Sequence, residues 1–259
     1  MPDVYDALRA EAGEIDDLVA GLSPRQWSLA TPAPGWTIAH QVAHLAFIAH
    51  LAGLAVTDPE GFEALAKAAR ADFQAAVDAA LTEYLADPPE RVLARWRTEL
   101  ATATDALAAV PPGEMVRWLV NPLPPQVIAA AGMMEIFAHG QDVADALGVR
   151  RQPRDRWRHI AGFGARTRDF GYLARGLTPP AEEFRFELTG PSGDLWEFGP
   201  AGSDQVVSGP AADFCLLVTR RRHRDDLALV ARGAEADRWL GIAQAYRGPA
   251  GDGPKPLSA

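Results

Sequence analysis

Two stretches of this chain are apolar around most of their circumference and yet carry ionisable side chains. The first is Ile38-Ala39-His40-Gln41-Val42-Ala43-His44-Leu45-Ala46-Phe47-Ile48. The second is Val127-Ile128-Ala129-Ala130-Ala131-Gly132-Met133-Met134-Glu135-Ile136-Phe137-Ala138-His139-Gly140-Gln141-Asp142. Segments of this kind are core helices of a bundle. An ionised carboxylate in such a place is costly unless it is paired or metal-bound. Glu135 has no Lys or Arg within two helical turns on either side. His139 follows four residues later, so both side chains project from one helix face. Glu135 and His139 therefore read as a two-ligand arm, and His44 on a facing helix is the natural third ligand. Mixed His/Glu ligation with an open fourth position is how catalytic zinc sites are built. The competing reading is a hydrogen-bonded Glu135–His139 pair with His44 as an ordinary core histidine.

Around these segments the first half reads as helix after helix. Val4, Leu8, Ile15, Leu18 and Leu22 keep a helical period. Ser23-Pro24 is a cap followed by proline at the first helical position. Thr31-Pro32-Ala33-Pro34-Gly35 is a rigid turn, and Thr37 caps a helix running to about Val56. Asp58-Pro59-Glu60 opens a further helix expected to continue to about Leu85. The next runs from about Arg91 to Val110, and the last of this half from Val127 to Leu147, stopping at Gly148.

The character changes after Gly148. Arg150, Arg151, Pro153 and Arg154 form a polar junction of the kind that separates domains. One more helix is expected over 154–175. Phe184–Leu188 and Leu195–Phe198 then alternate apolar and charged residues across the turn Pro191-Ser192-Gly193-Asp194, a hairpin signature. Asp204–Ser208 reads as a third strand, Pro210–Arg222 as a helix, Leu227–Ala231 as a strand and Ala234–Ala245 as a helix. The fold class expected is α+β. A four-helix bundle over 1–150 is followed by a small α/β domain over 151–247 and a flexible Gly/Pro-rich tail over 248–259.

The formal charge is −9, from 25 Lys+Arg against 34 Asp+Glu. Such a chain repels phosphate backbones, and no nucleic-acid partner is expected. Arg220-Arg221-Arg222-His223-Arg224 is the one strong basic cluster. It reads as a solvated helix end with cations near the C-terminus, the alternative being an anion contact. The single cysteine, Cys215, excludes an intramolecular disulfide and sits in the apolar run Phe214–Val218 as a buried structural thiol. Residues 1–20 lack the pattern of a signal peptide. The longest apolar run, Val42–Val56, is shorter than the roughly 20 residues that span a bilayer. No membrane partner is expected, and the protein reads as cytoplasmic.

His40 lies one turn before His44 on the same face. It is read as a non-ligand near the site and a candidate catalytic residue, with a fourth ligand, a substrate contact or a core histidine left open. Asp142 shares the face of Glu135 and His139 and is positioned to orient a ligand histidine, or to be a plain acid near the helix end. His50 is read as structural; His159 and His223 carry no partner pattern.

Pro34-Gly35-Trp36-Thr37, Val42-Ala43-His44-Leu45 and Glu135-x-x-x-His139-x-x-Asp142 resemble the mycothiol-dependent maleylpyruvate isomerase family. That family belongs to the DinB/YfiT-like superfamily of metal-binding four-helix bundles. The resemblance covers about the first 147 residues. It implies that His44, Glu135 and His139 hold the metal, with glutamate at the middle position as in the isomerase-like variant. The second half looks like an actinobacterial subgroup of presumed metal-binding proteins. It is only loosely similar to the sterol-carrier-like domain that follows the bundle in the isomerase. The resemblance further implies mycothiol as a thiol cofactor and a small electrophile as substrate.

Three functions follow as expectations. The first is a zinc-dependent thiol transferase or isomerase, in which the metal lowers the thiol's pKa and delivers a thiolate. The second is a thiol-independent metal-dependent isomerase, cyclase or hydrolase of specialised metabolism. The third is a non-catalytic, metal-stabilised ligand-binding protein, with His40 closing the coordination sphere.

Overall fold

The computed structural model describes residues 3–257. The chain divides into two compact units between Arg151 and Gln152.

The first unit is helical. Its elements are α1 (Val4–Val19), α2 (Pro24–Trp27), α3 (Ile38–Thr57), α4 (Pro59–Ala71), α5 (Phe73–Tyr84), α6 (Pro89–Ala109) and α7 (Pro125–Leu147). Local capping explains where they start. Asp3 accepts from the Tyr5 N–H at the head of α1, and Asp58 accepts from the Gly61 N–H at the head of α4. Pro24, Pro59, Pro89 and Pro125 each open a helix, where a missing N–H costs nothing.

The four long helices α1, α3, α6 and α7 form the expected bundle. α3 packs along α6 and α7, α1 packs on α7, and α4 and α5 lie against α3. α3 has 20 residues and is apolar enough to cross a membrane, but 72% of its most apolar window is buried inside this unit. It is the bundle's central helix. Gly140 permits the approach of α1 to α7, because a Cβ there would meet Ile15 Cδ1 at 2.2 Å. Beneath this contact Arg151 forms a buried ion pair with Glu11; their side chains are 4% and 0% exposed.

The helix expected over 58–85 is broken in two. Asp72 takes an extended backbone (φ −153°, ψ 101°), and its carboxylate caps the Ala75 N–H at 3.0 Å, starting α5 afresh. A competent cap inside a helical pattern is enough to divide it.

The second unit holds α8 (Arg158–Arg166), α9 (Phe170–Leu173), α10 (Ala211–Val218) and α11 (Ala234–Leu240). Its strands are β1 (Phe184–Thr189), β2 (Leu195–Phe198), β3 (Gln205–Pro210) and β4 (Val230–Arg232). The sheet order is β2-β1-β3-β4. β1 and β2 form the expected hairpin, with Leu188 opposite Trp196. β3 then pairs parallel to β1 on its other side, so the β2–β3 link must cross the start of β1. Gly199, at φ 82°, makes that crossing, where a Cβ would lie 2.0 Å from the Phe184 carbonyl oxygen. Phe184, Phe186, Phe214 and Trp239 fill the core between sheet and helices with edge-on and stacked rings. Cys215 is buried there, its thiol facing the Trp157 carbonyl.

Three expected helices are shorter in the structure. The one over 154–175 becomes a 3-10 turn (Asp155–Trp157), α8 and α9, because the Thr167 N–H and hydroxyl both return to the Phe163 carbonyl and close α8. The helix over 210–222 stops at Val218, where Arg220 turns left-handed (φ 58°). The last stops at Leu240, before Gly241. Residues 248–257 contain no helix or strand, and the Leu257 N–H donates to the Asp226 carboxylate.

Candidate metal centre

α3 and α7 lie side by side, and they bring three donors together. His44 comes from α3, Glu135 and His139 from successive turns of α7. One ligand atom from each lies within 4.8 Å of the other two. Glu135 Oε2 is 3.3 Å from His139 Nε2 and 3.7 Å from His44 Nε2. The side chains are 24%, 12% and 8% exposed in the order Glu135, His139, His44. Burial alone would push the Glu135 carboxyl up. The two histidines outweigh it and hold the group well below the usual carboxylate range.

The donor set fits a divalent ion. Metal–nitrogen and metal–oxygen bonds of about 2.0–2.2 Å set the edges of a tetrahedron at about 3.3–3.6 Å. The Glu135–His139 separation matches such an edge, and the Glu135–His44 separation exceeds it slightly.

The surroundings orient one donor closely. His139 Nδ1 lies 2.5 Å from Gln41 Oε1, and Gln41 Nε2 donates to Thr31 Oγ1 at 2.8 Å. The amide group has its nitrogen committed to Thr31, so its oxygen must accept and His139 Nδ1 must carry the proton. In the neutral ring, the form that can bind a metal, this leaves the Nε2 lone pair facing Glu135. Gln41 is itself wholly buried. Trp36 covers the cluster: its ring stacks on His139 at 5.7 Å between centroids and tilts against His44 at 5.3 Å. The loop that presents Trp36 is closed by Thr31, whose backbone N–H and hydroxyl both donate to the Trp36 carbonyl. His44 Nδ1 is buried without a hydrogen-bond partner among the described residues.

His40 is outside the group of mutually close donors. Its Nδ1 accepts the Thr37 N–H at 3.3 Å and faces Thr37 Oγ1 at 2.8 Å. Accepting at Nδ1 puts the proton of the neutral ring on Nε2. Burial lowers the pKa of this ring, which favours that neutral form. Asp142 is buried on α7, one turn beyond His139. His50 pairs with Glu99 at 3.0 Å, tying α3 to α6.

Sequence reasoning gave Gln41, Thr31 and Trp36 no role at the site. On the far side of Glu135, a cavity of about 30 Å³ opens into the bundle, lined by apolar residues together with Trp96 and Thr104. It has room for about one water molecule.

The model of the mycothiol maleylpyruvate isomerase N-terminal domain family matches residues 8–144, more than half of the chain. The chain belongs to this family. A second family model, for wyosine base formation, matches residues 180–232. An uncharacterized protein of Mycobacterium tuberculosis strain H37Rv is 49% identical over 252 residues, covering 97% of this chain and 98% of its own. Its counterpart in strain CDC 1551 / Oshkosh matches to the same extent. Among solved structures, the mycothiol-dependent maleylpyruvate isomerase aligns with a TM-score of 0.51 at 16% identity, over 84% of this chain and 91% of its own. A histidine-to-alanine mutant of that enzyme aligns with a TM-score of 0.52 over the same shares. The shared fold is the DinB-like bundle followed by the smaller α/β unit.

Proposed function

We propose that His44, Glu135 and His139 hold one divalent ion, zinc by the chemistry of the donors, and that the protein is a metal-dependent enzyme of thiol chemistry. In this reading it uses mycothiol against a small electrophile, as an isomerase or S-transferase. The observation that carries it is the convergence of three donor atoms within 4.8 Å at the α3–α7 contact, one of them fixed in its ligating tautomer by Gln41. Membership of the isomerase family and the solved relatives supply the thiol.

A divalent ion in this donor set supplies a lowered thiol pKa and so a thiolate at neutral pH. The chain's own residues do the rest. Glu135 stays anionic and offsets the charge of the ion. His139 keeps its lone pair aimed by Gln41. Trp36 covers the ligands and limits water. His40 presents an Nε2–H, placed one turn from His44, to hydrogen-bond an oxygen of the substrate. Asp142 adds a buried carboxyl group one turn past His139.

The test is metal analysis of the wild type and His44→Ala, paired with mycothiol binding by calorimetry. The wild type is expected to carry stoichiometric metal and to bind the thiol, and the variant to lose both. Stoichiometric zinc with neither binding nor turnover of mycothiol would remove the thiol from the proposal. Absence of metal from protein refolded with zinc would remove the centre itself.

A further inference from the structure

We infer that the second unit carries an anion pocket, formed by Arg175, Arg220, Arg222 and Lys255, that takes a small phosphate-bearing molecule. The pocket has a volume of about 300 Å³, and the charged residues around it are mainly cationic. Sites for small ligands begin at about that size. Asp252 is the one acid on its wall. Such a concentration of positive charge is unexpected in a chain of net charge −9.

The decisive point is how Arg175, Arg220 and Lys255 are partnered. Arg175 Nη1 donates to the carbonyls of Gly171 and Ile242, at 2.9 and 3.0 Å. Arg220 Nη1 donates to Gln244 Oε1 at 3.1 Å. All three acceptors are neutral, so the guanidiniums are oriented but their charge is not cancelled. Burial lowers the pKa of Arg175, and the neighbouring charge of Arg220 adds to that, as expected of two cations held together without an anion. Lys255 has no ion pair among the described residues. Arg224 differs, since Asp237 neutralises it at 2.7 Å.

The backbone points the same way. α10 ends with the Arg220 N–H on the Leu217 carbonyl and the Arg221 N–H on the Leu216 carbonyl. That closure puts Arg220 at the left-handed position normally given to glycine. An arginine there is strained, and strain of this kind collects where a side chain is used. The end of one helix attracts cations on its own account, but Arg175 comes from the turn after α9 and Lys255 from the tail. The tail is held as the pocket's outer wall: Gln244 Nε2 donates to the carbonyls of Tyr246 and Gly248, and the Leu257 N–H donates to Asp226. Several donors around one space suit a dianionic phosphate, which accepts from forked guanidiniums.

The experiment is calorimetry of the full chain at low salt with inorganic phosphate, pyrophosphate and citrate. Thermal unfolding is followed in parallel. Phosphate and pyrophosphate are expected to bind and citrate to bind more weakly. Lys255→Glu reverses a charge that has no ion pair among the described residues, and should weaken pyrophosphate about tenfold or more, the effect of one charge-assisted hydrogen bond. Arg220→Gly should weaken it similarly while unfolding at the same or a higher temperature, because glycine relieves the strain. Absence of phosphate and pyrophosphate binding by the wild type would overturn the proposal. So would unchanged binding in both variants, or citrate binding more tightly than pyrophosphate. His44→Ala should leave this binding intact, which separates the pocket from the metal centre.

Discussion

Gln41 Oε1 lies 2.5 Å from Nδ1 of His139, and this contact decides which nitrogen of His139 faces Glu135. The amide belongs to α3 and the ring to α7, so one helix sets the tautomer of a candidate ligand on the other. Removing the amide should therefore act on the metal before it acts on the fold. Gln41→Leu is expected to lower zinc affinity by about 10–100-fold, the usual effect of losing a partner behind a ligand histidine. It should also cost about 1–3 kcal/mol of stability from the groups left unpaired. Chelator competition measures the first and denaturant unfolding of the metal-free protein the second. An affinity equal to the wild type would show that Gln41 is only a core amide.

His40 gives a prediction about the coordination number. Its Nδ1 is engaged by Thr37, and the ring is absent from the three-donor group. Zinc-edge spectroscopy on His40→Ala should return the same number of nitrogen ligands as the wild type. Loss of one nitrogen would mean that His40 closes the sphere, and would favour a binding protein over an enzyme.

The ion pair of Arg151 with Glu11 lies under the α1–α7 contact, with Glu14 at 3.6 Å and the Phe137 carbonyl at 3.2 Å also facing the guanidinium. Arg151→Ala leaves Glu11 charged and buried, and should destabilise the first unit by about 3–5 kcal/mol. Replacing both partners, Glu11→Leu with Arg151→Met, should recover most of that loss. A double variant no more stable than Arg151→Ala would show that the pair is needed for itself.

Alkaline pH should weaken the fold through its tyrosines. Burial raises the Tyr84 phenol to about 12, against the opposing effect of Arg95, whose guanidinium lies 3.7 Å over the ring. Burial and then Glu235 raise Tyr172 to about 12 as well. The unfolded chain releases these protons near 10, so between pH 10 and 12 it binds fewer protons than the folded chain. The stabilisation is complete below pH 10 and declines as pH rises through 12. Tyrosinate absorbance should show the late titration, and Tyr84→Phe should flatten the fall in unfolding free energy. A stability unchanged over this window would count against both assignments.

The bundle was legible because proline and capping residues mark its helix starts and because α3 and α7 are too apolar to lie anywhere but inside. Glu135 and His139 were legible for the same reason, since an acid without a basic neighbour stands out in such a helix, whereas His44 rested on the family resemblance. Asp72 was not, since a cap amid alanines looks like one more surface acid until its backbone leaves the helix. Gln41 was not, because an amide carries no charge and its partners, Thr31 and His139, are remote in sequence. The parallel pairing of β1 with β3 was hidden too. Alternation tells which face of a strand is buried, but it does not tell which strand lies alongside.

The stacking of Trp36 on His139 gives the molecule an optical property of its own. An indole in contact with an imidazole changes its emission when that ring gains a proton or a ligand bond. Trp36 packs against the rings of both candidate ligand histidines, so adding zinc to the metal-free chain should change its fluorescence. The chain has seven tryptophans, and the difference spectrum between the wild type and Trp36→Phe isolates the one that reads the site.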